Sequence, residues 1–124
     1  MNSLEKADAL KGRSKSFAIR IVNLFRSLPH TPEAQTLGKQ LLRSGTSVAA
    51  NYRAVCRSRS KAELVSKMSI VVEESDESIF WLELLAETGL VRADRTEGLV
   101  GEANELVAIF GASLRTARNR RDGD

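Results

Sequence analysis

Apolar residues recur at three- and four-residue spacing along most of the chain, the period of one face of an α-helix. Phe17, Ile21, Leu24, Phe25 and Leu28 mark the first such stripe and predict a helix over about residues 4–28, capped by Asn2 or Ser3. Gly12 weakens its first third, so residues 1–12 are expected to fray. The segment LPHTPE breaks the pattern. Pro29 pushes Leu28 away from the α region, and Thr31 caps a second helix with Pro32 at its first position. That helix is predicted over 32–59, with Leu37, Leu41, Ser44, Gly45, Val48, Tyr52, Val55 and Cys56 facing inward. Ser60 and Glu63 then form a capping box. A third helix over 61–88 carries Leu64, Met68, Val71, Ser75, Ser78, Leu82 and Leu85 on one stripe. Gly89 suits the residue after its end. Asp94 and Glu97 form another capping box for a fourth helix over 95–118, with Leu99, Ala103, Leu106, Val107, Phe110, Leu114 and Ala117 inward. Residues 119–124 read as a charged tail.

No segment alternates as a strand does, and nothing repeats internally. Four helices joined by short loops predict an all-α, antiparallel, up-down-up-down four-helix bundle in one domain spanning 1–124. With four Phe, one Tyr and one Trp, the core must consist mostly of Leu, Val, Ile and Ala.

Composition narrows the chemistry. One Cys excludes an internal disulfide and fits a reducing cytoplasm. Cys56, at apolar spacing from Tyr52, is expected to be buried as a packing residue. One His and one Cys cannot build a zinc site from soft ligands. The helices lack the Glu-x-x-His pattern of a di-metal bundle, and no His stands ready as base for a serine nucleophile. No phosphate loop, dinucleotide fingerprint or CxxC is present. The expectation is a protein without catalytic residues, metal or cofactor. No apolar run approaches the ~20 residues of a membrane span.

Two stretches stand out. Residues 40–52, QLLRSGTSVAANY, place Arg43, Ser44, Thr46, Ser47 and Asn51 among apolar residues of the second helix. Residues 73–85, EESDESIFWLELL, are acidic and then strongly apolar around Trp81. If helices two and three turn near residue 60, positions equidistant from that turn face each other. Arg43 then meets Glu74 or Glu77, Ser47 lies near Glu73 or Glu74, and Asn51 lies near Ser69 or Glu73. This polar seam (Arg43, Ser47, Asn51, Glu74, Glu77) reads either as a device that fixes register or as a ligand groove or subunit contact. Trp81 reads either as filler of a core poor in aromatics or as part of an oligomer interface.

The net charge of +3 hides a segregation. Residues 1–60 hold 11 basic and 3 acidic side chains, whereas residues 61–91 hold 2 and 7. Basic groups cluster at the start of helix one, around the turn between helices two and three, and at the end of helix four. In an up-down-up-down bundle these three places share one pole. Arg53, Arg57, Arg59, Lys61, Arg115 and Arg118 are the candidate contacts to a nucleic-acid backbone. Some of them also sit where cations complement helix C-termini. No aromatic set accompanies them, which excludes base-stacking readout.

The combination of RSGTS, ANY and, farther on, the acidic run before Trp81 and Leu82 resembles the family of four-helix-bundle proteins encoded in intervening sequences of bacterial 23S ribosomal RNA genes. More distantly, the chain is similar to accessory proteins of diversity-generating retroelements. The resemblance spans about residues 17–110 and rests on Arg43, Ser44, Ser47, Asn51, Tyr52, Glu74, Glu77, Trp81 and Leu82. Ala54 stands where the family pattern has Glu, and Leu64 where it has an aromatic. The resemblance implies a left-handed bundle and a ring-shaped homopentamer. For the retroelement members it implies contact with a reverse transcriptase and with nucleic acid through a basic surface.

The expected function is therefore a non-enzymatic, cytoplasmic homo-oligomer that binds RNA or DNA backbone through a basic pole, as an accessory to a larger nucleic-acid enzyme. The competing expectation is a protein-interaction scaffold that never touches nucleic acid.

Overall fold

Capping chemistry sets three of the four helix starts. The computed structural model describes residues 1–120, so the last four residues of the predicted tail, Arg121 among them, lie outside the described residues. In α1 (Ser3–Arg26), the Asn2 side chain accepts from the Glu5 amide at 2.8 Å and donates to the Glu5 carboxylate at 3.0 Å. This reciprocal cap holds the first turn, and the helix runs unbroken through Gly12. In α2 (Pro32–Cys56), Thr31 Oγ1 accepts from the Ala34 amide. In α3 (Lys61–Glu87), Ser60 Oγ accepts from the Glu63 amide.

The fourth start differs from the expectation. α4 spans Ala93–Asn119, with Arg92 in the capping position and no side-chain cap. Asp94 lies within the first turn and accepts from Arg92 Nη2 at 2.8 Å. The cause is the preceding turn. Gly89 takes φ +75°, and the amides of Leu90 and Val91 both return to the Leu85 carbonyl. The α3 end is thus closed by residue 91, and the next helix begins at once. α2 also stops sooner than expected, at Cys56. Ser60 must be extended to cap α3, with φ −152°, so residues 57–59 serve as connector.

Neighbours in sequence are neighbours in space: α2 packs on α1 and on α3, and α3 on α4, with a sparser contact between α1 and α4. Four helices and, among the described residues, no strands make an all-α bundle. Its core is aliphatic around Phe17 and Phe110, with Ile21, Leu41, Val48, Val71, Leu82, Leu85 and Leu106 fully buried. Tyr52 tilts against Phe110 with ring centroids 4.9 Å apart. Two glycines allow α1 and α2 to approach closely. A Cβ on Gly45 would stand 2.8 Å from Ile21, and one on Gly38 would stand 2.4 Å from Leu28. Serines do the same between α2 and α3, where Ser44, Ser75 and Ser78 are buried. Among the described residues, no helix is long and apolar enough to cross a membrane.

Candidate nucleic-acid interface

The seam between α2 and α3 is built on a buried hydroxyl pair. Ser78 Oγ lies 3.0 Å from Ser44 Oγ, and each hydroxyl also meets a carbonyl of its own helix. Removing two hydroxyls from water requires such full pairing, and no buried side-chain polar atom among the described residues is left unpartnered. On the rim of this pair, Arg43 Nη1 spans both Glu74 oxygens at 3.1 and 3.2 Å, while Nη2 binds Glu77. The same Glu77 oxygen accepts from Trp81 Nε1 at 2.9 Å. Arg43, Glu74, Glu77 and Trp81 thus form one continuous network.

Farther along the expected seam, the hydrogen bonds of Asn51 stay within α2. Asn51 Nδ2 donates to the Ser47 carbonyl and hydroxyl, at 2.9 and 2.8 Å, within its own helix. Ser69, expected to face Asn51, instead donates to the Val65 carbonyl and accepts from Arg118 at 3.4 Å. A one-turn i to i+4 bond is the nearer alternative for a short amide side chain, and it outcompetes the cross-helix partner.

Trp81 is only partly buried and packs against the core cluster. Its neighbour Phe80 is 54% exposed and lies edge-on to the indole, with centroids 4.8 Å apart. The outward apolar face of α3 is therefore led by Phe80, which the sequence reading passed over in favour of Trp81. Phe80 falls between the buried positions Ser78 and Leu82, and helical phase alone turns it to solvent.

The basic residues divide into two groups. The start of α1, the end of α2, the start of α3 and the end of α4 do meet at one end, around an opening lined by Lys6, Leu10, Tyr52, Val55, Leu64, Ile109 and Arg120 among others. On the α3–α4 side, Lys61 and Arg118 line one shallow hollow with Ala62, Val65 and Ser66. Lys61 also donates to the Arg120 carbonyl. On the α1–α2 side, Arg53 and Arg57 line a trough of about 500 Å³ with Lys11, Lys15, Gly12, Ala49, Ala50 and Cys56. Lys11 and Lys15 belong to this surface as fully as the two arginines do. Their i, i+4 spacing was the available signal. Cys56, expected to be buried, is exposed. Val55 takes the last inward position of α2, and the next residue is rotated about 100° outward.

Of the six candidate contacts, Arg53, Arg57, Arg59 and Arg115 are exposed and make no ion pair or side-chain hydrogen bond among the described residues. Arg13 differs from them. It grips Glu102 through Nε and Nη2 at 2.8 and 2.7 Å and Glu105 through Nη2 at 2.8 Å, tying α1 to α4. The hydrogen bond from Arg13 holds the Glu102 carboxyl below its ordinary range, against the opposing effect of burial, and the guanidinium is correspondingly raised. Burial, and then the adjacent Cys56 thiol, push the Tyr52 hydroxyl well up, so it stays neutral. Among the described residues, no group of three or more His, Cys, Asp or Glu side chains could hold a metal ion.

The class is an all-α bundle with an Arg–Glu–Trp network across its second and third helices and a basic trough between its first and second. Residues 9–112 match the family described as 23S rRNA-intervening sequence protein, and the chain belongs to that family. A solved structure from Bacteroides thetaiotaomicron, a protein with unknown function from the S23 ribosomal protein family, is similar over 89% of this chain and 98% of its own. The identity between the two is 33% and the TM-score 0.82. No curated protein matches the chain.

Proposed function

We propose that this protein is a non-enzymatic oligomer that binds the backbone of RNA or DNA through the basic end of its bundle. In this reading the four helices run up-down-up-down with a left-handed twist as a single domain. Several copies, five by resemblance, close into a ring in the cytoplasm through the α3 face that carries Phe80 and Trp81. The protein needs no cofactor or metal, and serves a larger nucleic-acid enzyme such as a reverse transcriptase.

The observation that carries the reading is the set of exposed cations without acidic partners among the described residues: Lys15, Arg53, Arg57, Arg59 and Arg115. Such charges stay solvated, and phosphates that neutralise them release counterions. The family's tie to 23S rRNA intervening sequences points the same way. Replacing Arg57, Arg59 and Arg118 together with Ala is expected to weaken binding of a short RNA. The log–log salt slope should flatten by about 2, at ~0.7 per lost contact to a single strand. An unchanged slope contradicts the assignment. The exposed Phe80 supports a second reading, a scaffold that docks proteins only. Purified protein free of salt-removable nucleic acid would favour it.

A further inference from the structure

The six candidate cations of the basic end are not equivalent: Lys61 and Arg118 line a hollow with no further cation, whereas Arg53 and Arg57 line a trough with two more, Lys11 and Lys15. α1 and α2 run past each other in the register that places Gly45 on Ile21 and Gly38 on Leu28. Continued toward the basic end, that register brings Lys15 within about two residues of the position opposite Arg53, and Lys11 likewise of Arg57. All four line the same trough. The result is a ladder of two cationic rungs, one helical turn or about 6 Å apart. That spacing is of the order of the distance between successive phosphates along an extended strand. Lys15, Arg53 and Arg57 make no ion pair among the described residues. Lys11 has only Asp8, at 3.2 Å, with both side chains well exposed, and such a pair is readily exchanged. The floor is Gly12, Ala49 and Ala50. Its side chains are small, and it carries no aromatic ring on which a base could stack.

We infer that this trough holds a single strand of nucleic acid by two successive phosphates, with its bases turned outward and unread. The inference rests on the proposed nucleic-acid function and deepens it. Size selects the occupant: a trough of about 500 Å³ is on the scale of one or two sugar–phosphate units and far smaller than a duplex. The absence of an apolar anchor pocket between the rungs argues against a protein partner, since protein interfaces concentrate their affinity in buried aromatic or aliphatic anchors.

Cys56 makes the inference testable without altering the site. It is the single cysteine, it is exposed, and it lines the trough. Its alkylation by neutral iodoacetamide is timed at low salt, alone and with four probes at equal charge: single-stranded oligo(dT), a duplex of the same length, inorganic tripolyphosphate and an oligoglutamate peptide. Fluorescence anisotropy of labelled oligo(dT) measures binding separately. The strand is expected to slow alkylation in step with its bound fraction, and high salt to restore the rate. The other three probes should leave the rate unchanged. Lys15→Ala and Arg53→Ala should each reduce the salt slope of strand binding by about 0.7, whereas Lys39→Ala, at the opposite end of α2, should not. A strand that binds while Cys56 stays fully reactive overturns the trough and leaves the proposed function standing. Failure of any strand to bind removes both. Equal protection by tripolyphosphate, by the peptide or by the duplex overturns the single-strand assignment in favour of that probe's class.

Discussion

Arg43 and Arg13 show how the same side chain does different work according to what it faces. Arg43 bridges Glu74 and Glu77, which lie one turn apart on α3, and Glu77 in turn fixes the Trp81 indole. Because the Arg43 side chain is 49% exposed, its pairing adds modestly to stability. Arg43→Ala is expected to cost about 1 kcal/mol in urea unfolding and to shift Trp81 emission as the Glu77 contact loosens. A stability loss with unchanged emission would separate the two halves of the network. Arg13 acts on a more buried carboxylate, since Glu102 is only 16% exposed. The folded-state pKa of Glu102 is depressed, so its contribution is complete above the usual carboxylate value of 4.5 and is lost as pH falls through the lower folded value. Glu102→Gln should therefore lower stability at neutral pH and flatten the acid side of the stability–pH curve. Urea midpoints between pH 7 and pH 3 check this, and parallel curves for the two proteins would refute it.

Helix phase made most of the elements legible. Every buried position of α3 (Met68, Val71, Ser75, Ser78, Leu82 and Leu85) is on the stripe predicted from spacing, because periodicity and capping are local properties. What spacing did not reveal was which small residues permit contact and which are merely small. Gly45 and Gly12 both sit inside helices, yet a Cβ on Gly45 would stand 2.8 Å from Ile21, while one on Gly12 meets nothing within 4 Å. Gly45→Ala should destabilise the bundle by about 1–3 kcal/mol, since the fully buried Ile21 has no room to give. Gly12→Ala should stabilise it by roughly 0.5–1 kcal/mol through helix propensity. Thermal unfolding of the two variants tests the contrast, and equal effects would contradict it. Boundaries failed for similar reasons. The early start of α4 depends on two amides returning to Leu85, and the exposure of Cys56 depends on where α2 stops.

At the scale of the molecule, some charges pair within the fold and others face solvent. The acidic run of α3 takes up Arg43, and Glu102 with Glu105 takes up Arg13. Among the described residues, the cations of the α1–α2 trough have no such partners, apart from the exposed Lys11–Asp8 pair. The candidate site was half legible in the sequence. Clustering marked Arg53 and Arg57, and the basic start of helix one was expected at the same pole, but that Lys11 and Lys15 share one trough with the two arginines is set by the pairing of two helices, a long-range fact that composition does not carry. Phe80 was likewise hidden behind its larger neighbour.

The central claim is that an oligomer of this bundle binds nucleic-acid backbone by charge. It is tested most directly by light scattering of the purified protein with and without a short generic RNA, at low and at high salt. The account predicts an oligomeric mass in both salts that rises by the mass of bound RNA only at low salt. A mass indifferent to RNA at low salt, or one equal to the 13.6 kDa of a single chain, would contradict it.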